Sequence, residues 1–306
     1  MRLGVLDVGS NTIHLQVVDA HQGARPNPTV NHKVELRLTE YLDAANNISS
    51  EGISALREAI SGAVAKAKSV NTQELLPFAT SALREASNGT EIIEAINKEF
   101  EIDLQVLSGE DEARLTFLAV RRWFGWSSGR LLVIDIGGGS LEIASGGDEA
   151  PEAATSLPLG AARLTKAFLQ GDPFAPKSII KLREYIESQL ESILQARTSH
   201  QATDRAIATS KTLRTLARLC GDWFEGDGRT IKADALRKIS TKLSEMTLEQ
   251  RAKLPGVSGN RAHQIVAGSF VAESVMRNLD IDKLEMCPWA LREGVILRFQ
   301  IGRAHV

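Results

Sequence analysis

Leu6-Asp7-Val8-Gly9-Ser10-Asn11-Thr12-Ile13 and Ile134-Asp135-Ile136-Gly137-Gly138-Gly139-Ser140-Leu141 align without a gap, 128 residues apart from Asp7 to Asp135. In register, aspartate meets aspartate, Gly9 meets Gly137, and Thr12 meets Ser140. An offset this long is no solenoid period. It predicts two related domains, each opening with the same strand, turn and return strand. Glycine permits positive φ and lets an anion approach the backbone closely. Successive amide N–H groups in such a turn form an anion cradle, to which Thr12 or Ser140 adds a hydroxyl donor. Asp7 and Asp135 suit a hard cation, Mg2+ or Mn2+, which takes oxygen ligands. A lone Gly-rich turn reads equally well as a tight hairpin. The aspartate and hydroxyl matched in both copies shift that balance toward phosphate.

Outward from the first copy, apolar alternation predicts two strands within residues 1–19 and a third near 34–38. Ser50 is read as the cap of a helix carrying Ile53, Leu56, Ile60 and Val64 at helical spacing. Strands follow at 76–79 and 104–107. Ser108-Gly109-Glu110-Asp111 has the form of a capping box and opens a helix to about residue 124. Residues 123–129 read as a linker. Outward from the second copy, the strand at 131–136 returns at 141–144. A long amphipathic helix spans 178–197, and buried strands are predicted at 205–208 and 283–286. Alternating elements of both kinds mark an α/β protein.

The chain has 306 residues, 43% of them hydrophobic and 24% charged, with a formal net charge of −2. No global positive field is available to draw in nucleic acid or an anionic membrane. No apolar run approaches the roughly 20 residues needed to span a bilayer. The two cysteines, Cys220 and Cys287, form no C-x-x-C pair, so a reducing cytoplasm is expected. The six histidines (His14, His21, His32, His200, His263 and His305) show no metal-ligand spacing. Neither G-x-S-x-G nor G-x-x-x-x-G-K-[ST] occurs. Gly137-x-Gly139 has Glu142 where a dinucleotide fingerprint needs a small residue. Glu110, Asp111 and Glu112 crowd one helix start, where acids complement the dipole by about 0.3–1 kcal/mol each. Arg37, Arg84, Arg163, Arg261 and Arg292 are candidate anion clamps.

At these residues the sequence resembles the exopolyphosphatase and guanosine pentaphosphate phosphohydrolase family over nearly its whole length. The likeness rests on the first repeat, on Ala79-Thr80-Ser81-Ala82-Leu83-Arg84-Glu85-Ala86 and on Leu107-Ser108-Gly109-Glu110-Asp111-Glu112-Ala113-Arg114-Leu115. The stretch from Val133 to Glu142 and Ala290-Leu291-Arg292-Glu293-Gly294 complete it. It implies an actin-like α/β fold of two duplicated domains around an interdomain cleft. The domains are expected at 1–124, completed by a helix at about 291–306, and at 125–290. It also implies a homodimer.

The resemblance further implies that Glu112 activates the attacking water and that Asp135, Gly137 and Ser140 bind metal and phosphate. Gly9, Ser10, Asn11, Thr12 and Arg84 become phosphate contacts, alongside the Gly138 and Gly139 amides. The expected activity is removal of terminal phosphate from inorganic polyphosphate with Mg2+ or Mn2+. The further His-Asp-bearing C-terminal domain of long family members is not expected in this chain, and shorter polyphosphates are therefore expected as substrate. Ser210-Lys211-Thr212 stands where many members have Ser-Gly-Thr. Lys211 there argues against a nucleoside pocket, or points outward at a helix start. The rival expectations are guanosine pentaphosphate hydrolysis, an ATP-dependent kinase or ATPase, and a polyphosphate or alarmone sensor that does not cut.

Overall fold

The computed structural model describes residues 1–304 except 22, 24 and 197–202. Arg197, His200 and His305 therefore lie outside the described residues. The chain divides into two compact units, Met1–Ala119 with Leu291–Val306, and Val120–Ala290.

The first unit opens with β1 (Arg2–Val8), β2 (Thr12–Asp19) and β3 (Pro28–Glu35), followed by α1 (Ser50–Ser69). Next come β4 (Glu74–Ala79), α2 (Ser81–Glu85), α3 (Gly89–Phe100), β5 (Gln105–Val106) and α4 (Gly109–Phe124). The sheet runs β3-β2-β1-β4-β5. Both β1–β2 and β2–β3 are antiparallel, whereas β4 lies parallel to β1 and to β5. Central β1 is apolar on both faces, as a strand paired on both sides should be. Leu6 and Val8 join the core under α1 and α3, and Leu3 and Val5 face the opposite side.

The second unit follows with β6 (Leu131–Ile136), β7 (Leu141–Gly146), β8 (Ala153–Leu157), α5 (Ala161–Phe168) and α6 (Pro176–Ala196). Then come β9 (Arg205–Ala208), α7 (Lys211–Phe224), β10 (Thr230–Lys232), α8 (Ala233–Glu245), α9 (Leu248–Ala252), α10 (Gly259–Asn278) and β11 (Lys283–Met286). Its sheet runs β8-β7-β6-β9-β11-β10. The pairings repeat in order: two antiparallel, then β6–β9 and β9–β11 parallel, with β10 an added edge strand. One five-strand topology thus occurs twice, giving the duplicated actin-like fold. The chain then returns to the first unit as α11 (Leu291–Ala304).

Three local expectations need correction. The third strand begins at Pro28, well before residue 34, because its exposed edge position blurs the alternation. Ser49, one residue earlier than expected, caps α1 by accepting the Gly52 N–H at 3.3 Å. The stretch read as a linker is ordered, since Trp123 and Phe124 finish α4 and Trp126–Ser128 forms a 3-10 turn. Among the described residues no helix is long and apolar enough to cross a membrane.

Candidate active site

The two glycine turns are built alike. The Gly9 N–H donates to Thr12 O at 3.0 Å, and its counterpart Gly137 N–H donates to Ser140 O at 2.9 Å. None of Gly9, Gly137, Gly138 or Gly139 adopts a left-handed φ, contrary to the expectation that positive φ explains them. Gly9 is short of space, since a Cβ would lie 3.2 Å from Thr12 O, whereas at Gly137 a Cβ would meet Ser140 O at an ordinary 3.4 Å.

The second turn is held from below by its own carbonyls. Ala161 N–H donates to Gly137 O, and the N–H groups of Ala162 and Arg163 donate to Gly138 O. Arg163 Nε adds a bond to Gly139 O at 2.7 Å. Gly160 lies so close that any Cβ would collide with Gly138 and Gly139 backbone atoms. Among the described residues, the N–H groups of Gly138, Gly139 and Ser140 and the Ser140 hydroxyl have no protein partner. Ser140 is only 4% exposed. Three amides and a buried hydroxyl without acceptors make an anion cradle.

Asp135 closes β6 directly opposite Glu142 on β7, so both carboxylates share one face of the hairpin. The Thr209 hydroxyl donates to Asp135 Oδ2, and the Ser156 hydroxyl to Glu142 Oε1 at 2.9 Å. Thr209 and Glu142 were not singled out as site residues from the sequence. A signal for Thr209 existed: β4 and β9, equivalent strands, each end in an alanine followed by Thr-Ser (Ala79-Thr80-Ser81 and Ala208-Thr209-Ser210). In the first unit the same tripeptide ties down its own turn, with Ser81 Oγ 2.9 Å from Ser10 Oγ.

In the first unit, α4 starts behind Ser108, whose hydroxyl accepts the Asp111 N–H at 3.0 Å and donates to the Asp111 carboxylate. The expected reciprocal bond to the Ser108 backbone is replaced by this hydroxyl contact. Asp111 is thus absorbed by the cap, and Glu110 is exposed beside Arg114. Glu112 turns inward, with 7% of its surface exposed. Arg84, at the end of α2, donates from Nη1 to Glu112 Oε1 and, at 2.7 Å, to Leu107 O. The structure therefore brings Arg84 and Glu112 together.

Asp7 is likewise paired, accepting from Arg292 Nη1 at 3.2 Å, while its cross-strand neighbour is His14. Burial nonetheless pushes the Asp7 carboxyl above its ordinary range, Arg292 opposing the shift only in part. Arg37 pairs locally with Glu40 at 3.0 Å, and its backbone N–H donates to Asn11 O at 3.3 Å. Arg261 lies in α10, and Lys211 is exposed at the first position of α7, its outward reading.

For a divalent cation, Asp135 with Glu142 is a fitting oxygen donor set. Among the described residues no group of three or more His, Cys, Asp or Glu assembles, so no all-protein cage exists. Mg2+ matches that pattern, since it habitually takes one or two carboxylates and completes its shell with water and phosphate oxygens.

Comparison with known proteins gives the family. The family model described as Ppx/GppA phosphatase family matches residues 17–300. Exopolyphosphatase 1 of Mycobacterium tuberculosis (strain ATCC 25618 / H37Rv) is 51% identical over 302 residues, covering 97% of this chain and 88% of that protein. Exopolyphosphatase 1 of Mycobacterium leprae is 49% identical, covering 97% and 89%. Among solved structures, an exopolyphosphatase from Cytophaga hutchinsonii superposes with a TM-score of 0.88 at 25% identity, covering 99% of this chain and 98% of that one. A duplicated fold, paired glycine turns and a match along almost the entire length converge on one conclusion: the chain belongs to the Ppx/GppA phosphatase family.

Proposed function

We propose that this protein is an exopolyphosphatase, a phosphoanhydride hydrolase that releases terminal orthophosphate from inorganic polyphosphate. The observation that carries the reading is the Arg84–Glu112 pair: a buried carboxylate, fixed by a guanidinium, at the start of α4. The names of the mycobacterial relatives support the substrate class.

Glu112 orients a water and takes its proton as the water oxygen bonds to the terminal phosphorus. The bond to the bridging oxygen breaks in line, and the shortened polyphosphate leaves as a stable anion that needs no proton. General-base action of this kind contributes about 10²–10⁴-fold. Arg84 holds the base in place and supplies positive charge where phosphoryl oxygens accumulate it. The free amides of Gly138, Gly139 and Ser140, the Ser140 hydroxyl and the Gly9–Thr12 turn spread the remaining charge over fixed donors. A Mg2+ or Mn2+ held by Asp135 and Glu142 would neutralise phosphate charge. Two free thiols, Cys220 and Cys287, support a cytoplasmic location.

Phosphate release should be measured with polyphosphates of several lengths, guanosine pentaphosphate and ATP, each with and without Mg2+. The expected result is Mg2+-dependent release from polyphosphate that exceeds release from either nucleotide. Cleavage of guanosine pentaphosphate alone would replace this reading with the alarmone hydrolase. Binding without release from any substrate would make the protein a sensor.

A further inference from the structure

Arg292 is the second residue of α11, and its side chain is 26% exposed. Its Nε donates to Gln16 Oε1 at 3.1 Å and its Nη1 to Asp7 Oδ2 at 3.2 Å. Gln16 is locked in turn, because its Nε2 donates to Glu293 Oε1 at 3.2 Å. Among the described residues Nη2 has no protein acceptor. Two of the three nitrogens of the planar fork are therefore gripped, and Nη2, which borders both, is left open to donate to a phosphate oxygen.

Its location follows from two close approaches. The Asp7 carboxylate lies under the first glycine turn, with Oδ1 3.5 Å from where a Gly9 Cβ would stand. The guanidinium bonded to that carboxylate is thus beside the turn. Gly294, two residues beyond Arg292, packs against Leu115 O so tightly that a Cβ would collide with it. Leu115 is three residues beyond Glu112, so α11 crosses α4 one helical turn from the general base.

We infer that Arg292 is a phosphate-binding residue of this site, held by Asp7 and Gln16 as positioning residues, so that Asp7 serves an arginine rather than a metal ion. The inference rests on the polyphosphatase reading. Docking of α11 does not explain the pair. Leu291, Val295, Ile296 and Phe299 already pack that helix on Leu3, Val5, Val18 and Phe78. Desolvation cancels much of what a partly buried ion pair gains, so stability gives little reason to keep one. A divalent cation at Asp7 would also face the fixed positive charge of Arg292.

The test is calorimetric binding of a short polyphosphate to the Glu112→Gln protein, which does not consume it. Arg292→Gln combined with Asp7→Asn removes both charges together and leaves no lone buried ion, and Arg292→Lys keeps the charge but loses the fork. Binding should weaken by about tenfold or more in the double variant and by less in the lysine variant, as expected for a lost charge-assisted bond. Mn2+ binding, read by electron paramagnetic resonance without substrate, should be unchanged by Asp7→Asn and lost in Asp135→Asn. Polyphosphate binding by the folded double variant within about twofold of its parent, or Mn2+ loss equal in Asp7→Asn and Asp135→Asn, overturns the inference alone. A parent that binds no polyphosphate overturns it together with the functional reading.

Discussion

The two glycine turns began as the same device and now have opposite surroundings. Around Asp7 stand the Arg292 guanidinium and, opposite on β2, His14, with Glu293 close by. Around Asp135 stand Glu142 and the Thr209 hydroxyl, an anionic one. Backbone geometry is retained to a tenth of an ångström in the bond across the turn, 3.0 Å against 2.9 Å. Duplication supplied the scaffold, and the side chains brought in from other elements decided what each copy attracts. An arginine stands beside the first turn, and a pair of facing carboxylates stands beside the second.

Four experiments break or sharpen that contrast. The largest effect is expected at Glu112, which exists only beside the first copy. Glu112→Gln should leave the circular dichroism spectrum unchanged and lower kcat for phosphate release by about 10²–10⁴-fold. Next, the matched Ala-Thr-Ser tripeptides allow a paired comparison. Thr209→Val should reduce Mg2+ affinity or activity by about 10–100-fold, because it deprives Asp135 of its orienting bond. In the other tripeptide Ser81→Ala, next to Thr80, the counterpart of Thr209, removes only a hydroxyl contact to Ser10 and should change the Mg2+ requirement by less than about threefold. Equal effects on the Mg2+ titration would erase the division of roles.

Packing gives the third. Gly160→Ala forces a methyl into the Gly138–Gly139 backbone and should cost about 1–3 kcal/mol, read as a lower urea midpoint, with activity falling in parallel. Gly294→Ala should cost a similar amount by separating α11 from α4. The smallest effect is expected at Ser210, held at φ 61° and ψ 162°, a region that favours glycine. Ser210→Gly relieves strain of about 1 kcal/mol and weakens the helix cap by only a few tenths of a kcal/mol, so stability should rise by roughly 1 kcal/mol.

What the sequence disclosed and what it hid separate along physical lines. The repeat was visible because the turn is local: strand, glycine and hydroxyl all lie within eight residues. From it came the duplicated fold and the places of β1, β2, β6 and β7. The partners that give each turn its character were not visible, because they arrive from far away. Thr209 reaches Asp135 across 74 residues, and Arg292 reaches Asp7 across 285. Glu142 was legible only as a misfit to another motif until the hairpin register placed it opposite Asp135. The helix α10 was missed for another reason. It is buried around most of its circumference (Ala262, Ile265, Val266, Phe270, Val271 and Val275 among others). A helix with no wet face has no stripe to betray its period.

The return of α11 to the first unit has a consequence for how the protein is born. Every strand of the second unit lies in one contiguous stretch, Val120–Ala290, which emerges from the ribosome in a single interval. The first unit emerges earlier but is left with Leu3, Val5, Val18 and Phe78 uncovered until Ile296 and Phe299 arrive, after all of the second unit has been synthesised. The half that is translated first is therefore the half that matures last, and its bare sheet face is where a nascent chain of this protein most needs a chaperone.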